Sequence, residues 1–203
     1  NSSEAVTGLS SGGRYRVTVI DEHRIQLSDA RMIDSLSVAA AVSVAVSGNV
    51  SVAVAAAGAV AHNTIEGGYE ASIVRSDVDA TGPVNVLAED SSAIQAMLFS
   101  AAISVTASGT AAVGVALSVT EATNLIDGSL LATIEDSTVD TKAGGVTVQA
   151  LSDDSIQAFA LSASVAAGGS GTVSVQVAAA GVFAFNTLTG SVEASITDTG
   201  PAG

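Results

Sequence analysis

Large apolar residues alternate one for one with small or hydroxylated residues along three stretches of the chain. In the first, Leu36, Val38, Ala40, Val42, Val44 and Val46 fall on one face of an extended backbone. Ser37, Ala39, Ala41, Ser43 and Ala45 fall on the other. The second stretch sets Met97, Phe99, Ala101, Ile103 and Val105 against Leu98, Ser100, Ala102, Ser104 and Thr106. The third sets Phe159, Leu161, Ala163 and Val165 against Ala160, Ser162 and Ser164. A period of two with β-branched enrichment predicts strands. Alanine alone would permit a helix, but the alternation of Val with Ser argues against one. Each stretch ends in Ser-Gly-Asn or Ser-Gly-Thr, where Gly48, Gly109 and Gly171 suit a tight reversal. A second arm follows each reversal, marked by Val50, Val52 and Val54, by Ala111, Val113 and Val115, and by Val173, Val175 and Val177. Beyond it the pattern predicts a corner at Asn63, Asn124 and Asn186, and a turn at Gly67, Gly128 and Gly190. A short strand ending at Ile73, Ile134 and Ile196 comes next, then a polar corner. Val84 and Val86, repeated as Val146 and Val148, make the last short strand.

These landmarks recur at a spacing of 61 and then 62 residues, as in Asn63, Asn124 and Asn186. A fixed period is the mark of an array whose units stack on their neighbours. The predicted fold is all-β: a wide β-solenoid of three repeats, 32–92, 93–154 and 155–203, behind a small N-terminal β-hairpin module at 1–31. A stacked β-hairpin array is the alternative, because a Ser-Gly reversal suits a β-arch and a β-hairpin alike. Stacking sets like over like: Leu36, Met97 and Phe159 form one column, and Val38, Phe99 and Leu161 another. The small faces let two sheets approach more closely than the usual ~10 Å. Each buried Val adds about 1.5–3 kcal/mol, a sum that grows with every copy. The three Asn form a ladder of side-chain amides along the stack.

The third copy lacks its last short strand. At the N-terminus, strands at 14–20 and 24–28 flank Asp21, Glu22 and His23 and lead into Ile33. Joining Gly203 to Asn1 would resume the array. The chain is therefore expected to be one period of a longer assembly, joined covalently or head to tail with other copies of itself as partners, through open β edges.

Composition narrows the chemistry. The net charge is −14, and residues 32–203 carry only Arg75 and Lys142 as bases. Such a surface repels phosphate backbones, which argues against nucleic acid. There is no Cys, so neither a disulfide nor a thiolate metal site is possible. The uncharged stretches 35–65, 91–120 and 155–192 are long enough to span a bilayer as helices. Their central Ser-Gly breaks and the lack of flanking basic or aromatic anchors argue against spanning.

Two stretches carry a resemblance. Residues 8–21, Gly-Leu-Ser-Ser-Gly-Gly-Arg-Tyr-Arg-Val-Thr-Val-Ile-Asp, followed by Ile25, Gln26 and Leu27, resemble a small β module of very large, repetitive bacterial exoproteins. The Ala/Val/Ser repeats, with Asn-Thr-Ile and Glu-Ala-Ser-Ile segments, resemble the repeats around that module in such adhesins. The resemblance implies an extracellular or cell-surface role in adhesion, sheath or fibre building. The Gly-Gly-x-Gly-x-Asp calcium repeats often linked with secreted adhesins are absent.

No catalytic set emerges, and no enzyme is expected. His23 lies in a turn, and His62 has Thr123 and Phe185 as its counterparts. No nucleophile elbow, P-loop or dinucleotide fingerprint is present. Asp136, Asp140, Asp153 and Asp154 are the candidates for a Ca²⁺ site, with Glu89-Asp90 expected to align with Asp153-Asp154. A solvated acidic edge is the simpler reading of them. No other cofactor is implied. Two functions follow: a structural unit of an extracellular filament, sheath or adhesin stalk, or a carbohydrate- or surface-binding adhesin module stabilised by Ca²⁺.

Overall fold

The computed structural model describes residues 16–21 and 24–199. The described chain is all strand and turn, with no helix long and apolar enough to cross a membrane. Two strands come first, β1 (Arg16–Asp21) and β2 (Arg24–Ser47). The rest are β3 (Val50–Val74), β4 (Asp77–Ala80), β5 (Val84–Ser108), β6 (Ala111–Glu135), β7 (Thr138–Thr141), β8 (Val146–Ser152), β9 (Ser155–Ser170) and β10 (Val173–Thr197).

The pairing settles how the Ser-Gly reversals are built. β2 pairs in parallel with β5, and β5 with β8 and β9, while β3 pairs with β6 and β6 with β10. The two arms of one repeat thus belong to different sheets. Each Ser-Gly reversal is a β-arch between layers, and the hairpin alternative falls away. Each repeat is one flattened coil, and three coils stack as a β-solenoid. A third, short sheet of β4 and β7 closes the corner end. The sequence period becomes the register: Leu36 lies beside Met97 and Met97 beside Phe159, and Ile33, Ile94 and Ile156 follow suit.

Two predicted breaks are absent. Asn63, Asn124 and Asn186 do not sit at a corner, nor do Gly67, Gly128 and Gly190 form a turn. All six lie inside the uninterrupted 25-residue strands β3, β6 and β10. Because Gly67, Gly128 and Gly190 fall in mutual register, the parallel ladder continues through them. At Gly67 and Gly190 the lack of a side chain serves close approach instead, whereas a Cβ on Gly128 would meet nothing nearer than 3.7 Å. A Cβ on Gly67 would lie 2.8 Å from the Arg31 Nη1, and one on Gly190 would strike the Gly128 carbonyl. The real corner comes later, at Arg75, Asp136 and Asp198, all left-handed with φ of 47°, 47° and 49°. There the Arg75 N–H donates to the Glu135 carbonyl at 3.0 Å, and the Ser137 hydroxyl donates back to the same carbonyl at 2.7 Å. Similarly, β2 runs unbroken across the 31/32 boundary. It pairs antiparallel with β1 over 24–28 and joins β5 from Asp29 onward.

The small faces point inward. Ala55, Ala102 and Ala116 pack together, as do Ala59, Ala96, Leu98 and Ala122. Larger residues fill the interior toward the corner: Ile65, Ile94 and Ile126, then Val86, Leu130 and Ile134. The valines expected to supply burial lie outside, and Val38, Val42, Val44 and Val46 are 64–77% exposed. An interior of Ala, Ser and Thr between two layers leaves no room for them. Their contribution of about 1.5–3 kcal/mol each is not realised within one chain.

Candidate functional site

Three features of the array bear on function: a polar interior, a charged seam, and ends that leave the core uncovered. Hydroxyls buried between layers must find partners, because an unsatisfied one costs about 1–3 kcal/mol. Several find one another, while the Ser51 and Ser108 hydroxyls have no partner. Ser100 and Thr120 hydroxyls meet at 2.8 Å, Ser100 and Ser162 at 3.0 Å, and Ser118 and Ser162 at 2.5 Å. Ser104 donates to the Ala53 carbonyl across the layers at 2.9 Å. The Ser100–Thr120, Ser118–Ser162 and Ser104–Ala53 bonds tie the sheets together where the apolar side chains are too small to do so, and Ser100–Ser162 runs along one sheet.

The Asn column runs along the stack. The Asn63 amide donates to Asn124 Oδ1 at 2.8 Å, and Asn124 donates to Asn186 Oδ1 at 2.8 Å. Asn63 also donates to the Ser35 hydroxyl at 3.0 Å. Parallel in-register strands space identical side chains by one strand separation, which suits an amide's paired donor and acceptor.

A charged seam faces the glycine column. Asp90 is 1% exposed and lies 3.4 Å from Arg31 Nη2. Ser92 donates its hydroxyl to both Asp90 oxygens at 3.2 Å. Arg31 also donates to the Glu66 carbonyl at 2.8 Å, and its guanidinium lies 5.3 Å from the Tyr69 ring centre. One coil on, Asp154 accepts from the Ser92 N–H at 2.9 Å and from the Ser152 hydroxyl at 2.6 Å. Arg31, Ser92 and Asp154 thus occupy one column in successive coils. Asp90 is singled out from sequence only as part of an acidic pair, and its pairing with Arg31 is not, although a signal existed. Both share the inward parity of Ile33 and Ile94, where a charge is out of place unless paired.

The four aspartates proposed for Ca²⁺ are dispersed. Asp136 forms the left-handed corner, and Asp140 lies exposed on β7 in register with Asp79. Lys142 stands 3.5 Å from Asp79. The Asp153 N–H donates to the Asp90 carbonyl at 3.0 Å, and Asp154 belongs to the seam. Glu89-Asp90 does not align with Asp153-Asp154. Asp90 pairs with Ser152 instead, because the register that sets Val84 beside Val146 continues unshifted to Ala93 beside Ser155. Among the described residues, no three His, Cys, Asp or Glu side chains converge on a common point. His62 points outward on β3 beside Thr123, with Phe185 in the same column, and His23 lies outside the described residues.

The ends differ from the middle. In the central coil Ile126 is 0% exposed, while its counterpart Leu188 in the last coil is 55% exposed. Val192 and Ile196 are likewise half uncovered, against buried Leu130 and Ile134. A cleft of about 510 Å³ opens here, lined by Gly128, Ser152, Asp154, Leu188, Thr189, Gly190 and Val192. Among the described residues, β3 pairs on one side only at the opposite end, and so does β10 at this one. A comparison of the chain with protein-family models, with curated proteins and with solved structures finds no match in any of the three.

Proposed function

We propose that the chain is a structural unit of an extracellular bacterial filament, sheath or adhesin stalk, extended end to end by adding coils to its open β edges. The observation that carries this reading is the contrast between the central and last coils. Leu188, Val192 and Ile196 point into the interior, yet no described residue covers them. One further coil in register would bury them as the third coil buries Ile126, Leu130 and Ile134.

The two ends are complementary in more than shape. A coil stacked on the last one in the same register sets its own Arg31 one strand spacing from Asp154, since both occupy the same column. A head-to-tail contact of this type does not close on itself, so it propagates into a filament. Parallel edges with matched arches at Ser47 and Ser170 give the main-chain register.

Electron microscopy of the purified chain over a range of concentrations tests this. Rods should lengthen as concentration rises, at about 14 Å per copy for three strand spacings. Asp154→Lys, which sets like charges against each other at the junction, should shorten them. Particles that stay single at every concentration would overturn the reading.

A further inference from the structure

From Leu36 to Val46 and their register partners, the outer face of the sheet formed by β2, β5 and β9 is apolar without interruption. Its eighteen outward positions, from Leu36, Met97 and Phe159 at one end to Val46, Ala107 and Gly169 at the other, include no polar side chain. Leu36, Val42, Phe159 and Leu161 are more than half exposed, and the Phe99 and Phe159 rings touch with centres 5.8 Å apart. Polar residues bound the patch. The row Asp34, Gln95, Gln157 crosses it on the corner side, and the Ser-Gly arches end it on the other. An apolar centre with aromatic and Met side chains inside a polar rim is the anatomy of a protein interface. The opposite sheet is less uniform, since Glu121 and His62 interrupt its outer face.

We propose that this face pairs with the same face of a second copy, layer on layer, about a two-fold axis parallel to the stack. The relief of the face is self-complementary. Ala40, Ala101 and Ala163 form a groove between two ridges, Val38, Phe99, Leu161 and Val42, Ile103, Val165. A two-fold axis between the Ala101 and Ile103 columns lays each copy's ridge in the other's groove. The extent is adequate. Eleven residues across three strands cover roughly 33 by 14 Å, about 450–500 Å² per copy. Two copies together reach about the 1,000 Å² that a specific interface needs.

Lipid is the rival occupant, because the patch length approaches the ~30 Å of a bilayer core. Three observations favour protein. Among the described residues, the edges of β3, β9 and β10 carry unpaired backbone groups, which hydrocarbon cannot satisfy. The net charge of −14 opposes anionic head groups. The ridge-and-groove relief has no use against fluid chains. The pairing is independent of the end-to-end contact, and because its axis runs along the stack it can coexist with that contact.

The absence of native Cys allows a direct test. Ala101→Cys lies beside the two-fold axis, roughly 12 Å from its mate across two packed sheets. Val115→Cys lies on the other outer face of the same coil, and successive copies in an end-to-end stack would space both substitutions alike. A short bis-maleimide should convert A101C to covalent dimer at least tenfold more efficiently than V115C. Adding Ile103→Lys to A101C should abolish the product, while circular dichroism remains that of a folded β protein. Equal yields from A101C and V115C, or no dimer from A101C at high protein concentration, would overturn the pairing. A101C that stays monomeric while co-sedimenting with phosphatidylcholine vesicles would assign the face to lipid and overturn it as well.

Discussion

The arch-side and corner-side halves of the coils segregate polarity in opposite ways. Toward the corner, Ile65, Ile94, Ile126, Leu130 and Ile134 fill the interior, while Glu66, Glu70, Asp127 and Glu135 lie outside. Toward the arch, Ser100, Ser104, Ser118 and Thr120 are inside, and Val44, Val46, Val52 and Val54 are outside. The corner half holds itself together mainly by apolar burial, with the paired Arg31–Asp90 seam set into it. The arch half is held by hydroxyl pairs between layers and by the continuous backbone ladder, and it shows its apolar residues to whatever lies beside it. The comparison teaches where stability and association are stored: the first inside the corner half, the second on the arch half and at the ends.

The largest expected effect sets one half directly against the other. Ile126→Ala removes a fully buried side chain from the Ile column and should lower stability by about 2–5 kcal/mol. Val44→Ala, outside on the arch half, should change the stability of the isolated chain by less than about 0.5 kcal/mol. Denaturant unfolding at low protein concentration compares them, and similar losses at both sites would break the contrast. A middling effect falls at the boundary between the halves. Asn124→Ala deprives Asn63 of an acceptor and Asn186 of a donor, and should cost about 1–3 kcal/mol by the same measurement. The smallest effect has the opposite sign. Arg75 holds the left-handed corner that Asp136 and Asp198 hold in the other coils. Arg75→Gly relieves a backbone penalty of about 1 kcal/mol, so its melting temperature should rise. An unchanged or lower value would place the corner's stability in the Arg75 side chain instead of its backbone.

Much of this architecture is written in the sequence. The 61- and 62-residue spacing of Asn63, Asn124 and Asn186 became the strand register itself, because in-register parallel stacking requires equal coil lengths. The one-for-one alternation gave the strands and their two faces. Three things were not legible. Asn and Gly together suggest a turn, yet a Gly in register with Gly extends a ladder, and only the neighbour across the layers, Arg31 at Gly67, reveals its purpose. The choice between arch and hairpin depends on which strand pairs with which, and the same Ser-Gly signal serves both. The Arg31–Asp90 pair joins residues 59 apart, slightly off the repeat, so a search along equivalent positions passes over it.

The central claim is that the open edges grow by adding coils, and hydrogen exchange on the amides of β3 and β10 tests it most directly. In a parallel edge strand about half the amides bond inward and half face solvent. As protein concentration rises, the solvent-facing amides of β3 and β10 should become protected together, and Asp154→Lys should delay both. Edge amides that continue to exchange freely at the highest concentration, in both the wild type and the variant, would contradict the account.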